Sequence, residues 1–221
     1  MTGWQIWHSD GLQTIAKSVR LTSQNAWPNT TDCWKSNHHT IEVSVPQIHL
    51  AVDVATRHFY KEAKYELDGV SLTGQEMIQT LNEWASRFPL VSIEDGLHEE
   101  AWEFWPELTQ ALDNLCLTLG DDFLCTNPGR IRRAVKSSAC NALLLKLNQV
   151  GTLSEGAEAC RLAREAGWKV VVSARSGETE DDWLADLAFG WAADYIKVGS
   201  ITQSERLAKY NRRLEIESSY D

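Results

Sequence analysis

Asp53, Glu94 and Asp121 each follow a short apolar run: Ile48–Val52, Leu90–Ile93, and Leu115–Leu119 with Gly120 between. Lys146 follows a fourth run, Ala142–Leu145, and Lys197 follows Asp194–Ile196. Between the two lysines, the run Lys169–Ser173 breaks into Ala174-Arg175-Ser176-Gly177-Glu178. Three carboxylates supply only oxygen donors, which suits a hard cation, and Mg²⁺ fits because it keeps waters and binds substrate oxygens. A lysine beside a metal-bound carboxylate removes a weakly acidic α-proton if neighbouring positive charge lowers its pKa. An arginine, a hydroxyl and a glycine turn, running into the acid-rich start of a helix, suit an anion.

Each residue alone has a plainer explanation. A carboxylate after a strand is usually a helix N-cap or a solvated loop residue, and a strand-end lysine usually sits at the surface. Asp95 and Asp122 read as supporting or capping groups beside their neighbours Glu94 and Asp121. Six such positions in consecutive units are hard to explain that way.

The elements that must hold these residues alternate from Ile48 onward. The six runs are nearly continuous in apolar residues, as expected of strands buried on both faces. Thr73-Gly-Gln-Glu76 and Thr152-Leu-Ser-Glu155 read as capping boxes, Asn127-Pro128 as an N-cap followed by proline at the first helical position, and Gly167 as the stop of a helix begun near Ser154. Strand–helix alternation predicts a parallel sheet with crossover helices, and a strand-end spacing of about 25 residues matches a (β/α) barrel unit. The C-terminal ends of barrel strands converge on one rim. The fold class is therefore α/β, a partial TIM-type barrel with six of eight strands recognisable. Residues 1–47 read as an atypical N-terminal extension, irregular or contributing one edge strand at Thr40–Val45, ahead of a barrel domain at 48–221. A barrel short of two strands exposes two edges, which invites pairing with another chain.

Composition narrows the partners. Lys and Arg number 21 against 31 Asp and Glu, a formal net charge of −10, which argues against a nucleic-acid binder. Five cysteines with no C-x-x-C spacing read as reduced thiols of a cytoplasmic protein. No apolar run approaches the ~20 residues of a membrane span, and the first residues do not resemble a signal peptide. Tryptophan is abundant, with Trp4, Trp7, Trp27 and Trp34 all before residue 35.

The chemistry-bearing segments resemble enolase. "LAVDVATRHFYKEAKYELDG", "VSIEDGLHEEAWEFWPELT" and "LGDDFLCTNPGRI" are similar to its three metal-ligand strands, and "CNALLLKLNQVGTLSE" to its catalytic-base segment. "VVSARSGETEDDWLADLAFG" and "IKVGSITQSERLAKYNRRLEIE" are similar to its phosphate-binding and final barrel segments. The resemblance covers about residues 48–217. It implies phosphopyruvate hydratase, the glycolytic lyase that dehydrates 2-phosphoglycerate to phosphoenolpyruvate with Mg²⁺. Asp53, Glu94 and Asp121 would ligate the metal at the substrate carboxylate. Lys146 would take the α-proton, Lys197 would help bind the substrate carboxylate and enolate, and Arg175 and Ser176 would hold the phosphate.

The chain also departs from that pattern. Ala174 stands where the family has a substrate-contacting histidine, and the acid-bearing Gly-Asp-Glu-Gly-Gly motif has no counterpart. The family's N-terminal domain, with its mobile serine loop and much of its dimer contact, is not recognisable, which leaves a homodimer open. Gly96 replaces the usual proline, a change expected to loosen the backbone beside Glu94. A truncated or frame-shifted gene, with family-like sequence resuming near Ile48, is one account. Three readings follow: an impaired phosphopyruvate hydratase, a non-catalytic binding or interaction relative, and an enzyme acting on another phosphorylated or phosphonate acid.

Overall fold

The computed structural model describes residues 3–8 and 48–219. Six of its strands are parallel neighbours: β2 (Ile48–Asp53), β6 (Leu90–Glu94), β7 (Leu117–Gly120), β8 (Ala142–Leu145), β9 (Lys169–Ser173) and β10 (Tyr195–Lys197), hydrogen-bonded in that order. They form a curled half-barrel, and the chain is α/β as the alternation predicts. Two runs are trimmed. Leu115 and Cys116 close a turn on Leu112 instead of entering β7. Asp194 stays outside β10, where its carboxylate accepts from the Val170 N–H at 3.0 Å and from Lys169 Nζ at 2.9 Å.

An edge strand comes from an unexpected place. β1 (Gly3–His8) runs antiparallel to β2, with Gly3 opposite Asp53 and His8 opposite Ile48. The proposed strand at Thr40–Val45 lies outside the described residues. Between β2 and α1 (Gly74–Arg87), a turn at Thr56–His58 leads into a small antiparallel sheet of β3 (Tyr60–Lys61), β4 (Lys64–Leu67) and β5 (Val70–Leu72).

The remaining helices are α2 (Trp105–Ala111), α3 (Pro128–Ser137), α4 (Leu147–Val150), α5 (Leu153–Glu165), α6 (Trp183–Gly190) and α7 (Ser204–Ser218). Their starts follow the sequence signals. Thr73 and Glu76 exchange both capping bonds, Thr152 accepts from the Glu155 N–H, and Asn127 accepts from the N–H groups of Gly129 and Arg130. Gly167, at φ 76°, supplies the left-handed residue just beyond α5.

Strand alternation divides the core. Val52, Ile93, Leu143, Leu145 and Val170 point outward into a large cluster with Met77, Leu81, Trp105, Phe123 and Ile131. Leu119, Ala142, Leu144 and Val171 point inward, packed with Leu117 and Tyr195. Burial of the outer layer supplies most of the apolar driving force, about 25 cal/mol per Å². It holds the strands in register, so their C-terminal ends share one rim. No helix among the described residues is long and apolar enough to cross a membrane.

Candidate active site

Asp53, Glu94 and Asp121 stand at or just beyond the C-terminal ends of β2, β6 and β7, and Lys146 and Lys197 at those of β8 and β10. Lys197 Nζ donates to Glu94 Oε2 at 2.7 Å, to Glu94 Oε1 at 2.9 Å and to Asp53 Oδ2 at 3.2 Å. Lys146 Nζ donates to Asp121 Oδ2. Two cations from one half of the sheet thus reach three carboxylates on the other half.

Electrostatics follow from this crowding. Burial pushes the Glu94 carboxyl up to about 8; Lys197 pulls it down, while Asp53 and Asp121 add to the rise. Burial alone would lower the Lys197 ammonium, but Glu94 and Asp53 carry it above the ordinary lysine value.

Supporting residues fix the ligand geometry. Asp95 adopts a left-handed backbone, φ 44°, which aspartate tolerates better than most residues. Its two oxygens accept from the Asp121 N–H at 2.9 Å and the Asp122 N–H at 2.8 Å, tying the β6 and β7 ends together. Burial raises the Asp95 carboxyl to about 8, with Asp121 adding to the rise. Thr126 Oγ1 accepts from the Lys146 N–H at 2.9 Å and bonds Gln149 Oε1 at 2.6 Å, while Gln149 Nε2 donates to Asp121 Oδ1 at 3.2 Å. Thr126 and Gln149 were not singled out in the sequence, because a threonine and a glutamine carry no distinctive spacing.

Two carboxylate groups compete as a cation site. Asp95, Asp121 and Asp122 each offer an oxygen within 4.8 Å of the others. Asp95, however, is fully engaged with backbone N–H groups, and Asp122 pairs with Arg57 at 2.8 Å. Asp53, Glu94 and Asp121 are engaged instead by side chains alone, those of Lys197, Lys146 and Gln149. Their all-oxygen donor set has the chemistry of a hard-cation site, but the oxygens that lie within 4.8 Å of one another belong to Asp95, Asp121 and Asp122, so an ion at Asp53, Glu94 and Asp121 would need both ammonium groups to leave and the carboxylates to draw together.

The anion loop lies on the neighbouring strand end. The Ala174 N–H donates to the Lys197 carbonyl at 2.8 Å, which ties the β9 and β10 ends together. Arg175 and Ser176 are exposed, and no described residue pairs with the Arg175 guanidinium. The Arg175 backbone N–H donates to Glu178 Oε1 at 2.7 Å. A cleft of about 480 Å³ opens beside the loop, lined in part by Leu147, Thr152, Ser173, Arg175 and Trp183. It adjoins the anion loop and touches none of the three carboxylates.

A family model described as the enolase C-terminal TIM barrel domain matches residues 38–220. The chain belongs to the enolase C-terminal domain family. The match begins ten residues before β2, upstream of the boundary drawn at residue 48, and covers every strand-end residue of the rim. The half-barrel is thus part of an enolase-type barrel, with six parallel strands and the antiparallel β1 among the described residues.

Proposed function

We propose that this enolase-family chain binds 2-phosphoglycerate together with Mg²⁺ and removes its α-proton through Lys146, while dehydration to phosphoenolpyruvate is impaired. The observation that carries the reading is the convergence of Lys146 and Lys197 on Asp53, Glu94 and Asp121. Asp53, Glu94 and Asp121 would hold Mg²⁺, which when bound supplies charge stabilisation at the substrate carboxylate. Lys146 gives its ammonium proton to solvent, leaves Asp121 to face the α-carbon, and accepts the α-proton there as a neutral amine. Lys197 stays protonated and faces the developing enolate oxygen. The Arg175 guanidinium and the Ser176 hydroxyl hold the phosphate. A Lys base working with Mg²⁺ is the established pattern for this superfamily.

Hydroxide expulsion lacks its acid. Ala174 neither donates nor accepts through its side chain, and the acid-bearing Gly-Asp-Glu-Gly-Gly motif has no counterpart in the sequence. A positioned acid is typically worth about 10²–10⁴-fold in rate. The test follows deuterium entry at the α-carbon of 2-phosphoglycerate in D₂O beside phosphoenolpyruvate formation. Exchange that outruns product and vanishes in Lys146→Ala is expected. No exchange, or product at the rate of a working enzyme, would overturn the reading.

One observation favours a second reading, a non-catalytic binding relative. The Arg175 N–H is occupied by the chain's own Glu178, and Ala174 removes a substrate contact. Mg²⁺ and phosphate binding without any α-exchange would mark that case. Either reading goes with a cytoplasmic setting and with no nucleic-acid partner.

A further inference from the structure

Helix α7 carries two cations that do not face water. The Lys209 side chain is wholly buried, and Arg206 is nearly so. An unpaired buried ammonium is costly, so its partners define what it does. Lys209 Nζ donates to the Thr179 carbonyl at 2.6 Å and pairs with Glu178 Oε2 at 3.0 Å. The other oxygen of Glu178, Oε1, holds the Arg175 N–H. Arg206 Nη1 donates to the Val198 carbonyl at 2.9 Å, and Nη2 to the Ser176 carbonyl at 3.3 Å. The anion loop is therefore gripped at Arg175, Ser176, Glu178 and Thr179, every time through α7 or through the Glu178 that α7 holds.

We infer that Lys209 and Arg206 are positioning residues for the anion loop, with Glu178 relaying Lys209 to the Arg175 backbone. This rests on the reading that Arg175 and Ser176 bind the substrate phosphate. It goes beyond that reading in making the C-terminal helix the element that sets phosphate affinity. It also removes one backbone donor from the grip on phosphate: Glu178 fills the Arg175 amide, so the loop does not bind through that N–H. Fixing the loop before the ligand arrives spares the ordering cost of binding.

Two measurements on the full chain test this. Calorimetric binding of 2-phosphoglycerate with Mg²⁺ is compared in wild type, Arg175→Ala, Lys209→Met and the double variant. Lys209→Met is expected to weaken binding about tenfold to a hundredfold, the scale of a misplaced binding group. In the Arg175→Ala background it should add little, because Lys209 acts only through the loop. Unchanged affinity in Lys209→Met, or an undiminished further loss in the double variant, overturns the inference. Unchanged affinity in Arg175→Ala overturns the phosphate reading instead.

The second measurement needs no ligand. Amide hydrogen exchange at Arg175 should quicken about tenfold or more in Lys209→Met and in Glu178→Ala, while strand amides such as Leu144 keep wild-type protection. Wild-type protection at Arg175 in either folded variant overturns the inference, whether or not 2-phosphoglycerate binds. Should Lys209→Met fail to fold, Glu178→Ala replaces it in the binding cycle with the same expected and overturning results.

Discussion

Lys197, at the end of the last parallel strand, donates to Asp53, at the end of the first, at 3.2 Å and 144 positions away in the chain. In a flat sheet, five strand spacings of about 4.8 Å would hold these ends about 24 Å apart. The contact exists because the sheet curls, with the described helices packed against its outer face. Opposite ends of a half-barrel thereby share a single ammonium group, and the site is assembled although the strands among the described residues do not close a ring.

That ammonium should matter for stability before any chemistry. Lys197→Met leaves Glu94 and Asp53 facing each other without a cation. Removing one partner of a buried pair costs about 3–5 kcal/mol. Glu94 softens the loss by keeping its proton, so the deficit should be larger at pH 9 than at pH 5. Urea denaturation in EDTA at the two pH values measures it, and a variant as stable as wild type at both would show that the contact contributes nothing.

Acid–base behaviour without metal should be inverted from that of an ordinary paired carboxylate. Glu94 and Asp95 are both pushed up to about 8, from ordinary values of 4.5 and 3.8. The folded state then binds protons more tightly than the unfolded state across that window. Stability is greatest at its acid end and falls as pH climbs from about 4 toward about 8. In EDTA the unfolding midpoint should drop between pH 5 and pH 8. Asp95→Asn should flatten part of the slope, yet lower stability throughout by about 1–3 kcal/mol, because an amide nitrogen cannot accept from the second N–H. A midpoint rising over that range would contradict the burial argument.

Much of this was readable beforehand because the physics is repetitive. Strands buried on both faces produce unbroken apolar runs, and residues just past those runs must meet on one rim, so Asp53, Glu94, Asp121, Lys146 and Lys197 could be named from spacing. Strands β3 to β5 escaped notice: they are two to four residues long and mostly exposed, too short for alternation to register. β1 was missed because nothing in Gly3–His8 distinguishes a strand from a Trp-rich irregular segment. Arg206 and Lys209 carry no distinctive spacing in the sequence; their one signal is sharing an i, i+3 face with each other, ahead of the buried Ile216.

Gly96 corrects an expectation. It was read as loosening the chain beside Glu94, but the position is buried, and a Cβ there would lie 2.8 Å from Leu81 Cδ1 and 3.1 Å from Ile93 Cγ2. Close packing under α1 holds this backbone. Gly96→Ala should therefore destabilise by about 1–3 kcal/mol through overpacking. Thermal melts of the variant check this, and an unchanged midpoint would mean that Leu81 has room to yield.

The two carboxylate groups make opposite predictions about metal. If Asp53, Glu94 and Asp121 hold Mg²⁺, Asp53→Ala and Asp121→Ala should each abolish the Mg²⁺-dependent rise in melting temperature. Asp122→Ala should keep it, since Asp122 is occupied with Arg57. If Asp95, Asp121 and Asp122 hold it, the outcomes for Asp53 and Asp122 exchange. A bound ion at 100 times its Kd stabilises by about 2.7 kcal/mol, large enough to read in a melt. Asp121 belongs to both groups, so its variant tests whether the rim binds the ion at all; a retained shift there would place the metal elsewhere. The side-chain chemistry favours the first group. Lysines engage its oxygens and a divalent ion displaces them without breaking a backbone bond, whereas drawing Asp95 onto an ion would strip acceptors from the Asp121 and Asp122 N–H groups and loosen the loop that carries the ligand.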